Sequence, residues 1–412
     1  MPITKTNIME QASARKIRRI VILGAGYGGL HVVQRLTARL DSRHPELEIT
    51  LVDKNSYHQV MTELPLVAAG TRAAQAVRVP VEPLLGERVR FVQTCVNGFD
   101  LKAQDLQTDA GSLPYDRLVI AAGSQPNDFG IPGLSERALT LWSVEDARRV
   151  LAAVDTEVAA AVQEQDAHER KRHLTVAIGG GGATGVELAG ELAEVLPDLA
   201  SRHDLPADAC HIVLVEAAPT LLGGTSAGLV ERATKILDDL GVEVRTNSPI
   251  AQATEEGFVL KNGDIVRAGL CVWCGGVKVA EIVARSGLGT GPGGRVPVDE
   301  YLHAVGHPEI YVVGDAALVM NPATGRPLPP LAQVALEEGD TVAQNLYAEI
   351  EGLALEPFIF RDKGFVISIG AQQGVAALVG RSFSGRLARV LKEAIEWEYR
   401  QSVKHLRGWS PL

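Results

Sequence analysis

Cysteine is scarce, with four in 412 residues, at Cys95, Cys210, Cys271 and Cys274. They are too few and too scattered for a disulfide scaffold, which points to a reducing compartment. Basic residues are outnumbered, 40 Lys and Arg against 50 Asp and Glu, for a net charge of −10. This balance argues against a nucleic-acid partner, because phosphate binding needs a positive field. No run of about 18 apolar residues occurs, so no segment is expected to span a bilayer, and a membrane role has to be peripheral. The segment Met1–Arg15 has no apolar core and is not expected to act as a secretory signal.

Glycine is abundant, at 42 residues, and its placement carries the argument. Arg19–Leu23 is an apolar strand running into Gly24-Ala25-Gly26-Tyr27-Gly28-Gly29. Leu174–Ile178 is another, running into Gly179-Gly180-Gly181-Gly182-Ala183-Thr184-Gly185. Each is a G-x-G-x-x-G turn between a strand and a helix. One such match is weak, but two in the same context imply two nucleotides on one chain, and hence electron or hydride transfer between them.

In the first copy Gly24, Gly26 and Gly29 serve the tight turn, the close backbone approach and helix–strand packing, while the helix N-terminus offers N–H groups and partial positive charge to phosphates. Asp53 ends the next strand at about the 20-residue spacing expected of an acid on ribose hydroxyls. In the second copy Gly180, Gly182 and Gly185 take those parts and Glu216 is the acid. With no arginine after it, Glu216 should repel a 2′-phosphate, so NADH is expected over NADPH.

The chain is long enough for two or three domains, since single cores stop growing near ~250–300 residues. The pattern reads as α/β: strands at 47–52, 89–96, 115–123, 211–215, 242–246, 270–273 and 309–313, and helices at 30–40, 143–169, 185–196 (ended by Pro197) and near 386–404. A hairpin-like stretch is expected at 101–113 and another at Lys261-Asn262-Gly263-Asp264. Expected boundaries are 1–140 for a first dinucleotide-binding part, 141–290 for a second such domain, 291–356 for the remainder of the first, and 357–412 for a small C-terminal unit.

Glu187, in the first turn of the second helix, reads equally as a dipole-stabilising carboxylate and as a functional one. Glu191 and Glu194 read as a solvated face. Cys271 and Cys274 lie three apart on a strand and point to opposite faces, so a redox disulfide between them is awkward and structural thiols are expected. No cysteine pair follows Asp53, so disulfide chemistry of the glutathione-reductase type is not expected. Pro329-Pro330 stiffens the entry to a helix that begins near Ala332-Gln333. No metal site is suggested.

Taken together these motifs resemble the type II NADH:quinone oxidoreductases, along nearly the whole chain. The glycine turns are shared by many flavoenzymes; NSYHQVMTEL at 55–64, VEAAPT at 215–220 and AQVA at 332–335 are much more specific. The resemblance implies two Rossmann-like domains of the pyridine nucleotide-disulfide oxidoreductase architecture plus a membrane-associating and dimerising C-terminal unit.

It also implies FAD at Gly24, Ala25, Gly26, Gly28, Gly29, Asp53, Lys54, Thr62, Val96, Ala122, Gly123, Gly314, Asp315, Ala332 and Gln333. NADH falls to Gly180, Gly182, Ala183, Thr184, Gly185, Glu216 and Gly276. A quinone, menaquinone or ubiquinone, is implied at Ala332, Gln333 and Lys392, with Glu187 and Gln333 as the catalytic pair and Glu187 helping proton delivery.

The implied reaction is hydride transfer from NADH to the flavin, then two electrons and two protons to quinone, without proton pumping, by a homodimer on the cytoplasmic face of the membrane. Relatives usually end in a markedly apolar tail, whereas residues 396–409 here are largely polar; Trp397, Tyr399, Trp409 and the late basic residues still suit an interfacial helix. Competing expectations are a sulfide:quinone oxidoreductase, which needs two well-separated cysteines flanking the flavin, a soluble NADH:acceptor reductase, and a slow FAD- and NADH-binding redox sensor.

Overall fold

In the computed structural model, Arg19–Leu23, Glu48–Asp53, Val89–Gln93 and Arg117–Ile120 form parallel strands of one sheet, joined by His307–Val312. The description covers residues 17–40, 44–322, 324–378 and 380–404. Met1–Arg15 and Trp409, with the basic residues beside it, lie outside them. The first strand is buried over Ile20–Leu23 and the fourth over Leu118–Ile120, as parallel strands covered on both faces require. Spatial order is 303–304, 307–312, 117–120, 19–23, 48–53, 89–93, so the late strand joins the first sheet next to Arg117–Ile120.

The second sheet repeats the plan with Leu139–Thr140, Leu270–Trp273, Thr175–Gly179, His211–Val215 and Glu243–Arg245, all parallel and in that order. The expected strand at 89–96 divides: Val96–Asp100 leaves the sheet to pair with Asp105–Thr108, which pairs in turn with Gly111–Pro114. The Asn262-Gly263 turn joins Gly257–Leu260 to Ile265–Arg267 as expected.

Helix α1 is Tyr27–Arg39, α2 the short Leu64–Ala68, α3 Val144–Gln163 and α4 Ala167–His173. The single helix expected at 143–169 is therefore two; Ser143 and Asp146 form a capping box at its start and Asp166 caps α4. Helix α5, Ala183–Arg202, runs through Pro197 rather than stopping at it. A mid-helix proline costs about 3 kcal/mol, and burial of Leu192, Leu196, Leu199 and Ala200 on both sides of it offsets that cost.

Helix α6 is Ala332–Glu351, packed against α1, where Gly339 sits over the Gly28 carbonyl. The chain closes with an antiparallel sheet of Phe365–Ile369, Gln373–Leu378 and Arg381–Ser384, followed by α7, Arg386–Lys404. Gly190 of α5 lets the strand end at Ile369-Gly370 come close: a Cβ there would lie 2.7 Å from the Gly370 nitrogen.

Helix α7 is inverted for a surface helix. It buries Ala388, Arg389, Lys392, Glu396, Tyr399 and Val403 and exposes Leu387, Val390, Ala394 and Trp397, the last at 65 %. Among the described residues, no helix is long and apolar enough to cross a membrane.

Candidate functional site

The two glycine turns are built alike. Gly24 and Gly180 have φ of +105° and +113°, and a Cβ on either would lie within 2.5 Å of a backbone carbonyl, of Ala121 and of Cys274 respectively. A Cβ at Gly29 or Gly185 would stand 1.9 Å from the Gly24 or Gly180 oxygen, so α1 and α5 can leave their strands this closely only with glycine there. At Gly26 and Gly182, the N-caps, an added Cβ would meet nothing within 4 Å, and neither helix has a side-chain cap. Both thus present unpaired N–H groups and positive dipole ends in the arrangement a dinucleotide pyrophosphate needs.

Each turn is tied to its acid. Asp53 accepts from the Ala25 N–H at 2.7 Å and from the Asn55 N–H at 2.7 Å; Glu216 accepts from Gly181 and Ala218, both at 2.6 Å. Burial raises the Asp53 carboxyl, and the two N–H groups oppose it. The expected ribose acids are thus also the struts of the turns.

A third group gathers beside the first turn. Asp315 follows the late strand, accepts from the Ser124 hydroxyl and faces Arg295. Gly28 approaches Val313 and the Ala335 carbonyl, and Gly314 approaches the Ala335 side chain, so residues more than 280 positions apart converge. Glu338, one turn on from Ala335, is fully buried, accepts from the Gly314 N–H, and is pushed up to about 8 by burial. Its Oε1 and the Nε of Arg295 are buried without partners, as they would be beside a polar ligand. These residues fit the ribityl and phosphate part of a flavin nucleotide. Sequence reasoning missed Ser124, Arg295 and Glu338, which carry no local motif.

Glu187 and Lys392 are brought together. The Lys392 ammonium lies 3.3 Å from Glu187 and 3.1 Å from Glu396, and Ser368 donates its N–H and hydroxyl to Glu187, both at 3.2 Å. Burial alone would lower the Lys392 ammonium, but Glu187 and Glu396 raise it; burial raises the Glu396 carboxyl against the pull of Lys392. The Glu187 carboxylate is thus held by Lys392 and Ser368, both from the last fifty residues of the chain.

Glu191 and Glu194 are not a solvated face. Glu191 is 1 % exposed, takes a hydrogen bond from Thr71 at 3.3 Å and faces Arg389 at 3.9 Å, while Glu194 accepts from the Ala371 N–H. Burial pushes the Glu191 carboxyl up to about 7, with Arg389 pulling against it. The reason is the docking of the 365–384 sheet and α7 on this side of α5.

Other expected residues are placed less centrally. Gln333 donates to the Arg361 carbonyl at 2.8 Å and to Glu337 at 3.2 Å and shares no described bond with Glu187 or Lys392. Lys54 is exposed at the end of the Asp53 strand, Val96 is half-buried at the start of its own strand, and Thr62 lies by the Tyr27 phenol. Ala122 and Gly123 follow Ile120 at the strand end, Gly123 at φ +67°, and Gly276, at φ +135°, follows the Trp273 strand of the second sheet. Ala183 and Thr184 open α5.

Tyr399, expected at headgroups, is buried: its hydroxyl lies 2.8 Å from Nε2 of His58. Cys271 and Cys274 are unpaired, and burial pushes both thiols up to about 12, so they stay protonated and unreactive at neutral pH. Among the described residues no cluster of three His, Cys, Asp or Glu side chains could hold a metal ion.

Residues 18–339 match the pyridine nucleotide-disulphide oxidoreductase family. Type II NADH:quinone oxidoreductases of Staphylococcus haemolyticus (strain JCSC1435) and Staphylococcus aureus (strain NCTC 8325 / PS 47) are 34 % and 35 % identical over 389 residues, covering 93 % of this chain and 95 % of theirs. The structure of NDH2 from Plasmodium falciparum in complex with NADH superposes with a TM-score of 0.84 at 19 % identity, over 95 % of this chain and 96 % of that one. A sulfide:quinone oxidoreductase from Aquifex aeolicus shares the fold, with a TM-score of 0.77 at 19 % identity over 95 % and 92 % of the chains. With two uncapped glycine turns, each following a central parallel strand of its sheet, and relatives at this identity along almost its full length, the chain belongs to the type II NADH:quinone oxidoreductases of the pyridine nucleotide-disulphide oxidoreductase family.

Proposed function

We propose that the chain oxidises NADH and reduces a quinone by way of FAD. The observation that carries this reading is the repeated turn: two uncapped helix N-termini, each with its acid, on two sheets of one chain. The first turn, with Asp315, Ser124 and Arg295, binds FAD; the second, with Glu216, binds NADH and disfavours a 2′-phosphate. When bound, FAD supplies two-electron chemistry between nicotinamide and quinone.

The chain's own residues then orient and protonate. Glu187 holds its carboxylate against Lys392 and Ser368 and is the group that hands a proton toward the quinone, with Lys392 keeping its charge balanced at 3.3 Å. Gln333 and Ala332 line the quinone side at the start of α6. The polar anchors of α7 hold it on the protein while Leu387, Val390, Ala394 and Trp397 face outward; that stripe rests on the cytoplasmic face of a membrane, where the quinone is found. The expected boundaries at 140, 290 and 356 and the homodimer belong to the same reading.

Anaerobic titration of the purified yellow protein with NADH tests it. The visible flavin band should bleach at one equivalent of NADH and return when a water-soluble quinone is added. A protein that bleaches but is not reoxidised by quinone is a sensor or a reductase of another acceptor, and the quinone assignment is then wrong.

A further inference from the structure

The two glycine turns share their strut but not their second anchor. In each, the residue after the first glycine is fixed through its N–H by the acid: Ala25 by Asp53 and Gly181 by Glu216. The carbonyl of that residue must also be held, or its peptide plane, and with it the N–H groups facing the phosphates, can rotate. At the second turn the Gly181 oxygen accepts from the backbone N–H of Leu222 at 2.8 Å, a bond made within the same half of the molecule. At the first turn the Ala25 oxygen is reached instead by a side chain, Nδ1 of His58, at 2.9 Å.

That imidazole is buried and continues to the far end of the chain, Nε2 lying 2.8 Å from the hydroxyl of Tyr399 on α7. The carbonyl can only accept, so Nδ1 carries the proton; burial pulls the imidazole down to about 4, so it is neutral, and Nε2 accepts from the Tyr399 hydroxyl. The relay is therefore Tyr399 O–H to His58, and His58 N–H to the Ala25 carbonyl.

Tyr27, the first residue of α1, packs against both rings, with centroids 5.1 Å from His58 edge-on and 4.8 Å from Tyr399. The matching position in the second copy is Ala183, which has no ring to offer. Beside the relay, Gln34 of α1 donates to the Val403 carbonyl at 2.9 Å and Arg400 pairs with buried Glu63, which Arg72 also faces at 3.0 Å. The last turns of α7 are thus fastened to the half that carries the first turn.

We infer that Tyr399 is a positioning residue for the flavin nucleotide: through His58 it fixes the Ala25 peptide, so retention of FAD depends on this contact of the C-terminal helix, whereas the nicotinamide turn, closed by Leu222, does not depend on it. The inference rests on the reading that the first turn holds FAD. It makes α7 a brace with two duties, one face holding the cofactor turn and the other presenting the exposed stripe.

The test measures FAD release from the holoprotein on dilution, by the rise in free-flavin fluorescence, alongside the dissociation constant of NAD+ by equilibrium dialysis. Tyr399→Phe keeps the ring against Tyr27 and removes one buried hydrogen bond, so release should accelerate about fivefold, with the NAD+ constant unchanged. His58→Asn keeps a donor near the Ala25 carbonyl but cuts the link to Tyr399. It should accelerate release similarly, and Tyr399→Phe added to it should have no further effect, because the two act as one unit.

Unchanged release in both single variants, additive effects in the double variant, or equal loosening of FAD and NAD+ would each overturn the inference. If Tyr399→Phe does not fold, His58→Asn alone decides. Failure of the underlying reading looks different: the wild-type protein would be isolated colourless and would not take up FAD.

Discussion

The two dinucleotide turns of this chain present nearly the same face to a ligand and are supported by very different parts of the molecule. The second is closed by neighbours: Glu216 and Leu222 lie one strand and one loop away, and both reach Gly181 within one sheet and its connections. The first draws on Asp53 nearby but also on His58, Tyr399, Val313 and Ala335, which arrive from four separate stretches. A locally closed site can load and release its ligand as substrate without disturbing the remainder. A site assembled from distant elements costs more conformational entropy to form and suits a cofactor that stays.

The sharpest way to separate the two sites is at their third glycines. Gly29→Ala and Gly185→Ala each drive a Cβ against a backbone oxygen, a clash of about 3 kcal/mol at the upper end for overpacking, or ~100-fold in affinity. Gly29→Ala should yield protein with little flavin; Gly185→Ala should stay yellow but require far more NADH to bleach, as a titration followed at the flavin band will show. Loss of flavin in both would mean that the sites are one cooperative unit.

Next comes the Glu187 carboxylate of α5. Glu187→Gln keeps the Ser368 bonds in reach but cannot donate a carried proton, so quinone-dependent turnover should fall about 100-fold while flavin reduction by NADH proceeds. Turnover unchanged from pH 6 to 9 removes Glu187 from proton delivery. At the second turn, Glu216→Ala removes the like charge that a 2′-phosphate would face, and the preference for NADH over NADPH should narrow about tenfold. A wild type that already favours NADPH would contradict the role given to Glu216.

The smallest expected effect is on stability. Glu191 in the unfolded chain titrates near the ordinary carboxylate value and in the folded chain near about 7, so between those values the folded state binds more protons and stability falls as pH rises. The loss is complete above about 7. Glu191→Gln removes this dependence: thermal midpoints of the variant should change less between pH 5 and 8 than those of the wild type. An identical slope in both would show that the buried carboxyl does not titrate in this window.

Much of the first half of this picture was readable in the chain. Glycine spacing, the apolar runs before each turn and the acids after them are local signals, and they correspond to strands, turns and helices close to where the spacing puts them. Where the reading failed, a distant partner had intervened. Pro197 reads as a stop, yet α5 continues because Leu196 and Leu199 are buried beside it. Glu191 and Glu194 read as solvated because nothing in α5 reveals that a sheet from residues 365–384 will cover them. Tyr399 reads as interfacial because a polar tail gives no hint that α7 turns its charged face inward onto Glu187, His58 and Glu63 and its apolar stripe outward.

The amino-acid order alone dictated the doubled nucleotide-binding plan, since a strand, a glycine turn and a helix are specified by contacts among residues within a few turns of one another. Folding decided which buried carboxylates keep company with which cations, and which end of the chain steadies the first turn. Those outcomes depend on pairings between residues far apart in the chain, from Glu187 with Lys392 to His58 with Tyr399, and such pairings are set by how finished elements pack and exclude water, which no local pattern encodes.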